Sequence, residues 1–222
     1  MTDRPDLLVV VAGTDTDVGK TWVGSHLLRD LHAEGHTVAA RKPAQSFGPE
    51  DRTTDAHVLA GATGEEPTEV CPRDRWYTVA MAPPMAADAL GRPEFTVAEL
   101  AGEITWPSPA PAVGLVETAG GLRSPHAADG DGITLVEELQ PDIVLLVSDS
   151  GLGTINAVRL SLDALDSGSH VATPLVFLNR FDPADDLDRR NRDWLNAHLD
   201  AEVLTSMPSL VTRLRPRPSR AL

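Results

Sequence analysis

The sequence predicts an α/β protein: a doubly wound, mainly parallel sheet with helices on both faces, of the P-loop nucleotide-binding kind. Three observations carry that expectation. Short apolar runs recur along the chain without the in–out alternation of a sheet that has one wet face, so both faces are buried. Segments of helical spacing lie between these runs, the alternation that builds parallel βαβ units. The first run leads straight into "GTDTDVGKT", Gly13 to Thr21, a glycine-bounded loop that opens a helix.

In chain order, the expected strands are residues 7–12, 37–42, 112–116, 143–147, 171–178 and a weaker one at 202–204. The first helix is 19–33, where Val23, Leu27, Leu28 and Leu31 recur at helical spacing. Further helices are expected at 53–60, 81–90, 96–104, 134–139, 155–165 and 183–199. "PSPAP" at 107–111 reads as a surface connection. No repeat and no dividing linker appears, so residues 1–222 read as a single P-loop α/β domain. From about 211 a flexible basic tail is expected, carrying Arg213, Arg215, Arg217 and Arg220. The other reading of those arginines is a lid or contact for a polyanionic ligand.

Composition narrows the function. The net charge of −14 argues against nucleic acid or an anionic membrane as partner. No window approaches the roughly 20 apolar residues of a membrane span. The start "MTDRPDLLVV" lacks the charged-then-apolar layout of a signal, so a cytoplasmic protein is expected. One cysteine, Cys71, excludes an internal disulfide and fits a packed side chain better than a nucleophile.

Ligands of such folds sit beyond the carboxyl ends of the strands, so the loops there are the places to look. In the first, backbone N–H groups and a helix N-terminus face an anion. Lys20 reaches the β- and γ-phosphates and Thr21 offers a hydroxyl to Mg²⁺. Gly13, Thr14, Thr16, Val18, Gly19, Lys20, Thr21 and Trp22 are therefore the expected nucleotide contacts. The strict G-x-x-x-x-G-K-[ST] pattern is broken by Thr14, with the glycine one residue early. Asp15 and Asp17 put negative charge beside a polyphosphate. Each fits a Mg²⁺ contact, a cationic substrate or a helix cap.

After the second strand stands "RKPAQSF". Lys42 at its end is placed to neutralise a transferred phosphoryl group, and Ser46 follows in the loop. Asp55 opens the next helix, as a first-turn acid or a Mg²⁺ ligand. Glu117 ends an apolar strand, where a carboxylate needs a cation or firm hydrogen bonds. Thr21, Asp55 and Glu117 together make a plausible Mg²⁺ set. Gly120 and Gly121 allow close approach of backbone to ligand. Gly151, Leu152, Gly153 and Thr154 lead a second anion-ready helix N-terminus, which fits a carboxylate or an ordinary turn. Asn179 can offer donor and acceptor to a purine edge, or make an Asx turn before Pro183.

The ordered set "GTDTDVGKT", "KPAQS", "TTDAHVLAG", "APPMAAD", "VETAGG", "GLGTIN" and "NR" resembles dethiobiotin synthetases, from about residue 7 to about 210. The resemblance implies an ATP- and Mg²⁺-dependent cyclo-ligase that joins CO₂ to 7,8-diaminopelargonic acid and closes a ureido ring. It implies Lys20 on the phosphates, with Thr21, Asp55 and Glu117 around Mg²⁺. Lys42 would stabilise the carbamate and the transferring phosphoryl, Ser46 would touch the reacting end and Asp17 would face the diamine. Asn179 would recognise adenine. It also implies a homodimer, with the "GLGTIN" loop and Asn156 of one subunit binding the substrate's far carboxylate across the interface.

The chain departs from the family's usual pattern at Phe47, Thr118, Arg123 and Ser206. The resemblance expects these on the substrate side, with Arg123 near the site. That leaves open another amine or carboxylate substrate, or nucleotide binding without turnover. A glutamine-dependent amidoligase would need a glutaminase domain with a catalytic cysteine, for which the chain is too short. A partition-type ATPase would carry a lysine where Asp15 stands.

Overall fold

The computed structural model describes residues 4–168 and 173–216. The apolar run β1 (Leu7–Gly13) feeds the phosphate loop and α1 (Lys20–Ala33), and β2 (Val38–Arg41) follows. A layer of short elements comes next: β3 (Gln45–Ser46), α2 (Asp55–Thr63), α3 (Pro67–Val70), β4 (Trp76–Tyr77), α4 (Pro83–Ala89) and α5 (Val97–Gly102). The chain then returns to the sheet as β5 (Val113–Glu117). It makes a small hairpin of β6 (Pro125–Ala127) and β7 (Gly130–Asp131) before α6 (Gly132–Leu139). The last part is β8 (Ile143–Asp149), α7 (Thr154–Asp166), β9 (Thr173–Asn179), α8 (Asp186–His198), β10 (Glu202–Leu204) and α9 (Met207–Leu214).

Among the described residues the central sheet has six strands, ordered β10-β9-β8-β1-β5-β2, and every pairing in it is parallel. Alternation along β1 shows why its sequence is continuously apolar. Val9 and Val11 pack on one face with Leu27 and Leu31 of α1 and Leu59 of α2; Leu8, Val10 and Ala12 pack on the other with Val136 of α6 and Val158 of α7. Each fully buried Val or Leu side chain contributes about 1.5–3 kcal/mol, so five successive residues, Leu8 to Ala12, fix both faces. The connection after β1 runs to β2 on one side, and that after β5 runs to β8 on the other. This reversal opens a crevice at the carboxyl ends of β1 and β5.

The expected strands are all present, with small boundary differences. The fifth begins at Thr173, and Val171 lies outside the described residues. The short pairs β3–β4 and β6–β7 carry no periodicity to read in so few residues. The tail expected from about 211 needs correction. α9 is helical to Leu214 because Leu210, Val211 and Leu214 bury a stripe against α1. Arg213 pairs with Glu202 and Arg215 with Glu34, so these two arginines staple the end of the chain. Arg217 and Arg220 lie outside the described residues.

Candidate active site

The phosphate loop turns sharply at two left-handed residues, Asp17 (φ 59°) and Gly19 (φ 97°). Gly19 has no room for a side chain: a Cβ would stand 2.1 Å from Asn179 Nδ2. Gly13 is also constrained, since its Cβ would lie 2.8 Å from Asp15 O and 2.9 Å from Lys20 Nζ. That explains the early glycine. It clears the path of the lysine, which folds back to donate to Asp15 O at 3.0 Å. Asp15 spends its carboxylate on the loop itself, accepting from Thr16 N at 2.7 Å. Thr14, in the place of the pattern's glycine, puts its hydroxyl 3.2 Å from Ser148 Oγ, which in turn is 3.0 Å from Thr154 Oγ1. A run of hydroxyls, buried at Ser148 and Thr154, thus joins the phosphate loop to the start of α7.

Opposite the loop lies an ionic cluster of unusual burial. Lys42 is 3% exposed, and its Nζ is 2.6 Å from Glu117 Oε1 and 2.7 Å from Asp55 Oδ2. Nζ also donates to Thr118 O at 3.2 Å. The Thr21 hydroxyl sits 2.9 Å from Asp55 Oδ1 and 2.8 Å from Glu117 Oε1. Burial opposes the charge on Lys42, but the two carboxylates outweigh it and hold its pKa above the ordinary range. Lys42 in turn holds Asp55 below the usual carboxylate range. Burial pushes Glu117 up, against the pull of Lys42. Burial, then Lys42, pushes Lys20 down.

Thr21, Asp55 and Glu117, expected from three separate loops, therefore meet at one point. The set is hard oxygen, two carboxylates and a hydroxyl, which suits Mg²⁺ held together with phosphates and water. Glu117 Oε2 is buried with no hydrogen-bond partner among the described residues. An unpaired carboxylate oxygen there fits a cation.

These groups open on a cavity of about 870 Å³. Of the expected site residues, Thr16, Asp17, Gly19, Lys20, Thr21, Lys42, Ser46, Asp55, Glu117 and Gly120 line it. Trp22, on the first turn of α1, is 48% exposed and stacks on His26 instead. Gly151, Leu152, Gly153, Thr154 and Asn156 stand at the start of α7, outside the cavity wall. Their loop is anchored from α8: Ser150 Oγ donates to Asp188 Oδ2 at 2.7 Å, and Asn191 Nδ2 donates to the carbonyls of Ser150 and Gly151. The structure places Asn179, the residue expected at a purine edge or in an Asx turn, against the phosphate loop. It is buried, and Nδ2 donates to Val18 O at 2.9 Å, so one donor is committed to bracing the phosphate loop. Arg180 beside it ties Asp17 O to Asp149.

The four departures from the expected pattern lie in different surroundings. Arg123 does not line the cavity, although its neighbour Ser124 does; its side chain is 67% exposed and paired with Asp131 at 2.7 Å. Ser206 precedes α9, with its hydroxyl on Ser209. Phe47 remains in the cavity wall, edge-on to Trp76. Thr118 is fully buried beside Glu117 and its hydroxyl has no partner among the described residues. Cys71 is enclosed in the core and burial pushes its thiol up to about 12, which makes it a poor nucleophile.

Sequence reasoning missed His126. This residue braces the 118–124 loop, accepting from Ala119 N at Nε2 (2.9 Å) and donating from Nδ1 to Ser124 O (2.9 Å). The two partners fix the neutral Nδ1–H tautomer. Ser124 Oγ adds a bond from Gly121 N, and Leu122 N donates to Gly13 O, locking this loop to the phosphate loop. The only signal was a lone histidine, which the structure places on β6. Burial pushes His126 down to about 4 from an ordinary 6.5; the Ser124 bond and Asp131 favour its charge, while Lys42 and Lys20 oppose it. The folded pKa lies below the unfolded one, so as pH falls the unfolded chain takes up the proton first. The stabilisation is complete above about pH 6.5 and is lost on the way down to about pH 4. Between pH 7.5 and 4.5 the protein is expected to lose about 2–3 kcal/mol more than a His126→Gln variant, read by urea denaturation. Parallel losses would mean that His126 does not stay neutral in the folded protein.

Comparison with known proteins agrees with this geometry. A family model described as an AAA domain matches residues 8–216. The ATP-dependent dethiobiotin synthetase BioD of Haloferax mediterranei is 35% identical over 207 residues, covering 91% of this chain and 84% of the relative. That of Anaeromyxobacter dehalogenans is 39% identical over 180 residues, covering 79% and 78%. That of Streptomyces coelicolor is 32% identical over 215 residues, covering 96% and 89%. Among solved structures, a plasmid partition protein from Borrelia burgdorferi bound to AMPPNP has a TM-score of 0.56 at 10% identity, covering 94% of this chain and 90% of that one. The septum site-determining protein MinD from Pyrococcus horikoshii, complexed with Mg-ADP, has a TM-score of 0.50 at 16% identity, covering 95% and 86%. At such identities the structural likeness establishes the P-loop α/β fold alone.

Proposed function

The chain belongs to the ATP-dependent dethiobiotin synthetase family, and from that premise we propose that it is a cytoplasmic, single-domain, ATP- and Mg²⁺-dependent cyclo-ligase making dethiobiotin from 7,8-diaminopelargonic acid and CO₂ in biotin biosynthesis. The observation that carries this reading is the meeting of Lys20 and Thr21 with Lys42, Asp55 and Glu117 on one cavity.

One amine of the diamine takes up CO₂ as a carbamate. A carbamate oxygen attacks the γ-phosphorus of ATP, the bond to the β-phosphate oxygen breaks, and ADP leaves. The second amine attacks the carbamic–phosphoric anhydride at carbon, phosphate departs, and the ureido ring is closed. Lys20 holds the phosphates and Lys42 faces the carbamate and the transferring phosphoryl. Ser46 touches the reacting end and Asp17 faces the diamine. Thr21, Asp55 and Glu117 would hold Mg²⁺, which supplies charge neutralisation for the polyphosphate when bound. The protein positions and neutralises, and no side chain forms a covalent bond.

We place the far carboxylate of the substrate at Gly151–Asn156 of a second copy, the chain acting as a homodimer. In support, Leu152 is 93% exposed and Leu160, two turns further along α7, is 61% exposed. Exposed apolar side chains before the first turn of α7 and on its second are what an interface between copies would cover. Asn156→Ala is expected to raise KM for the diamine about ten-fold while ADP affinity stays within two-fold. Loss of ADP affinity alone would move Asn156 to the nucleotide side.

The testing experiment is phosphate release from Mg-ATP with and without the diamine and bicarbonate, with dethiobiotin read by mass. Release that needs both supports the ligase. Nucleotide binding without stimulated release would assign the substrate side, around Phe47 and Thr118, to a different molecule.

A further inference from the structure

Gln45 stands on β3, three residues beyond Lys42, and is 2% exposed. Its amide is oriented by one contact: Ala56 N, beside Asp55 in the first turn of α2, donates to Oε1 at 3.1 Å. The opposite orientation would set the amide NH₂ against an N–H, so this contact decides which atom points away. Nε2 is left buried and without a hydrogen-bond partner, on a residue in the wall of the cavity shared by Lys20, Lys42 and Glu117.

The placement of this orphan is not random. Among the described residues, four buried side-chain polar atoms lack a partner: Gln45 Nε2, Ser46 Oγ, Glu117 Oε2 and Thr118 Oγ1. They come from two adjacent pairs of residues, at the ends of the two chain segments that carry Lys42 and Glu117 into the site. Buried polar groups are almost always hydrogen-bonded, and exceptions gathered at one cavity point to a ligand that supplies the missing partners. The carboxylate among them fits a cation. Gln45 Nε2 can only donate, so its partner is an acceptor, and in a cavity that also presents Lys20 and Lys42 an oxygen carrying negative charge is the favoured one.

We propose that Gln45 is a substrate-contacting residue whose Nε2 donates to an oxyanion of the reacting group, carbamate or transferring phosphoryl. The identity of that oxyanion rests on the ligase reading; the presence of the donor does not. Lys42 supplies charge without direction, whereas an amide held at one end by Ala56 supplies direction, fixing the angle at which the oxygen is presented.

The test is calorimetric titration of the Gln45→Met and Gln45→Glu variants beside the wild type, in two arms. The first is the diamine with bicarbonate in the absence of nucleotide and Mg²⁺. The second is inorganic phosphate in the presence of Mg-ADP. Glutamate keeps the acceptor for Ala56 N and loses the donor; methionine loses both. A donor to an oxyanion predicts weaker binding in both variants, about 10-fold in methionine and about 100-fold in glutamate, where like charges meet. Loss in the first arm assigns Nε2 to the carbamate and loss in the second to the phosphoryl. A role limited to bracing α2 predicts the reverse order, with glutamate close to wild type. That order, wild-type binding by the methionine variant, or no binding by wild type in either arm overturns the proposal. ADP affinity and dethiobiotin formation by wild type separately report on the nucleotide site and the ligase reading.

Discussion

Replacing Lys42 by methionine is expected to destabilise the fold by about 3–5 kcal/mol and to abolish product formation. Lys42 is the sole cation in direct contact with Asp55 and Glu117 among the described residues. Methionine has nearly the same shape, so little packing is lost and the cost is electrostatic. Without the ammonium, Glu117, 1% exposed, is left with the Thr21 hydroxyl and the Asp55 carboxylate as neighbours. An uncompensated buried charge costs far more than a paired one contributes. Glu117 escapes that cost only by taking up a proton, so the deficit is expected to shrink as pH falls. A Lys42→Met/Glu117→Gln double variant is expected to regain most of the stability and none of the activity. Denaturant unfolding in EDTA, where no Mg²⁺ can substitute for the ammonium, reads the first, and phosphate release reads the second. A double variant no more stable than the single one would show that the pair is not coupled.

This cluster also shows how far the sequence could be read. Each of its members was legible because each sits at the carboxyl end of an apolar strand or at the start of a helix, places that topology brings together. The sheet was legible for the same reason: β1, β5 and β8 are runs of residues buried on both faces, a pattern that needs no knowledge of partners. What could not be read is what depends on contacts between distant loops. His126 gives no signal until the chain places it between Ala119 and Ser124. The brace that Asn179 makes to Val18 O, 161 residues away in sequence, leaves no local signal. Arg123 looked like an intruding charge because its partner, Asp131, lies across a hairpin too short to show periodicity. α9 was misjudged because the basic residues around it mask a three-residue apolar stripe.

Lys20 is the counterpart to Lys42, and the two lysines are expected to divide stability and chemistry in opposite ways. Lys20→Ala should lower phosphate release by about 10²–10³-fold, the loss typical of removing one preorganised donor from a developing anion. In phosphoryl transfer the transition state spreads negative charge over the oxygens of the moving group, and a fixed ammonium there acts on the rate more than on ground-state affinity. ADP, which lacks that group, should therefore bind within about ten-fold of wild type. The fold should be barely affected, for a reason visible in the structure. Among the described residues the Lys20 side chain makes a single hydrogen bond, to the backbone of its own loop, and burial and Lys42 work against its charge more than Glu117, Asp55 and Asp17 favour it. Removing a cation from a place that disfavours it relieves part of the cost of assembling the cluster. Wild-type turnover in Lys20→Ala would sink the phosphate-loop reading. An unfolding midpoint lowered as far as in Lys42→Met would mean that Lys20, too, is paired with the carboxylates, and that the cluster is one shared network rather than a structural lysine facing a chemical one.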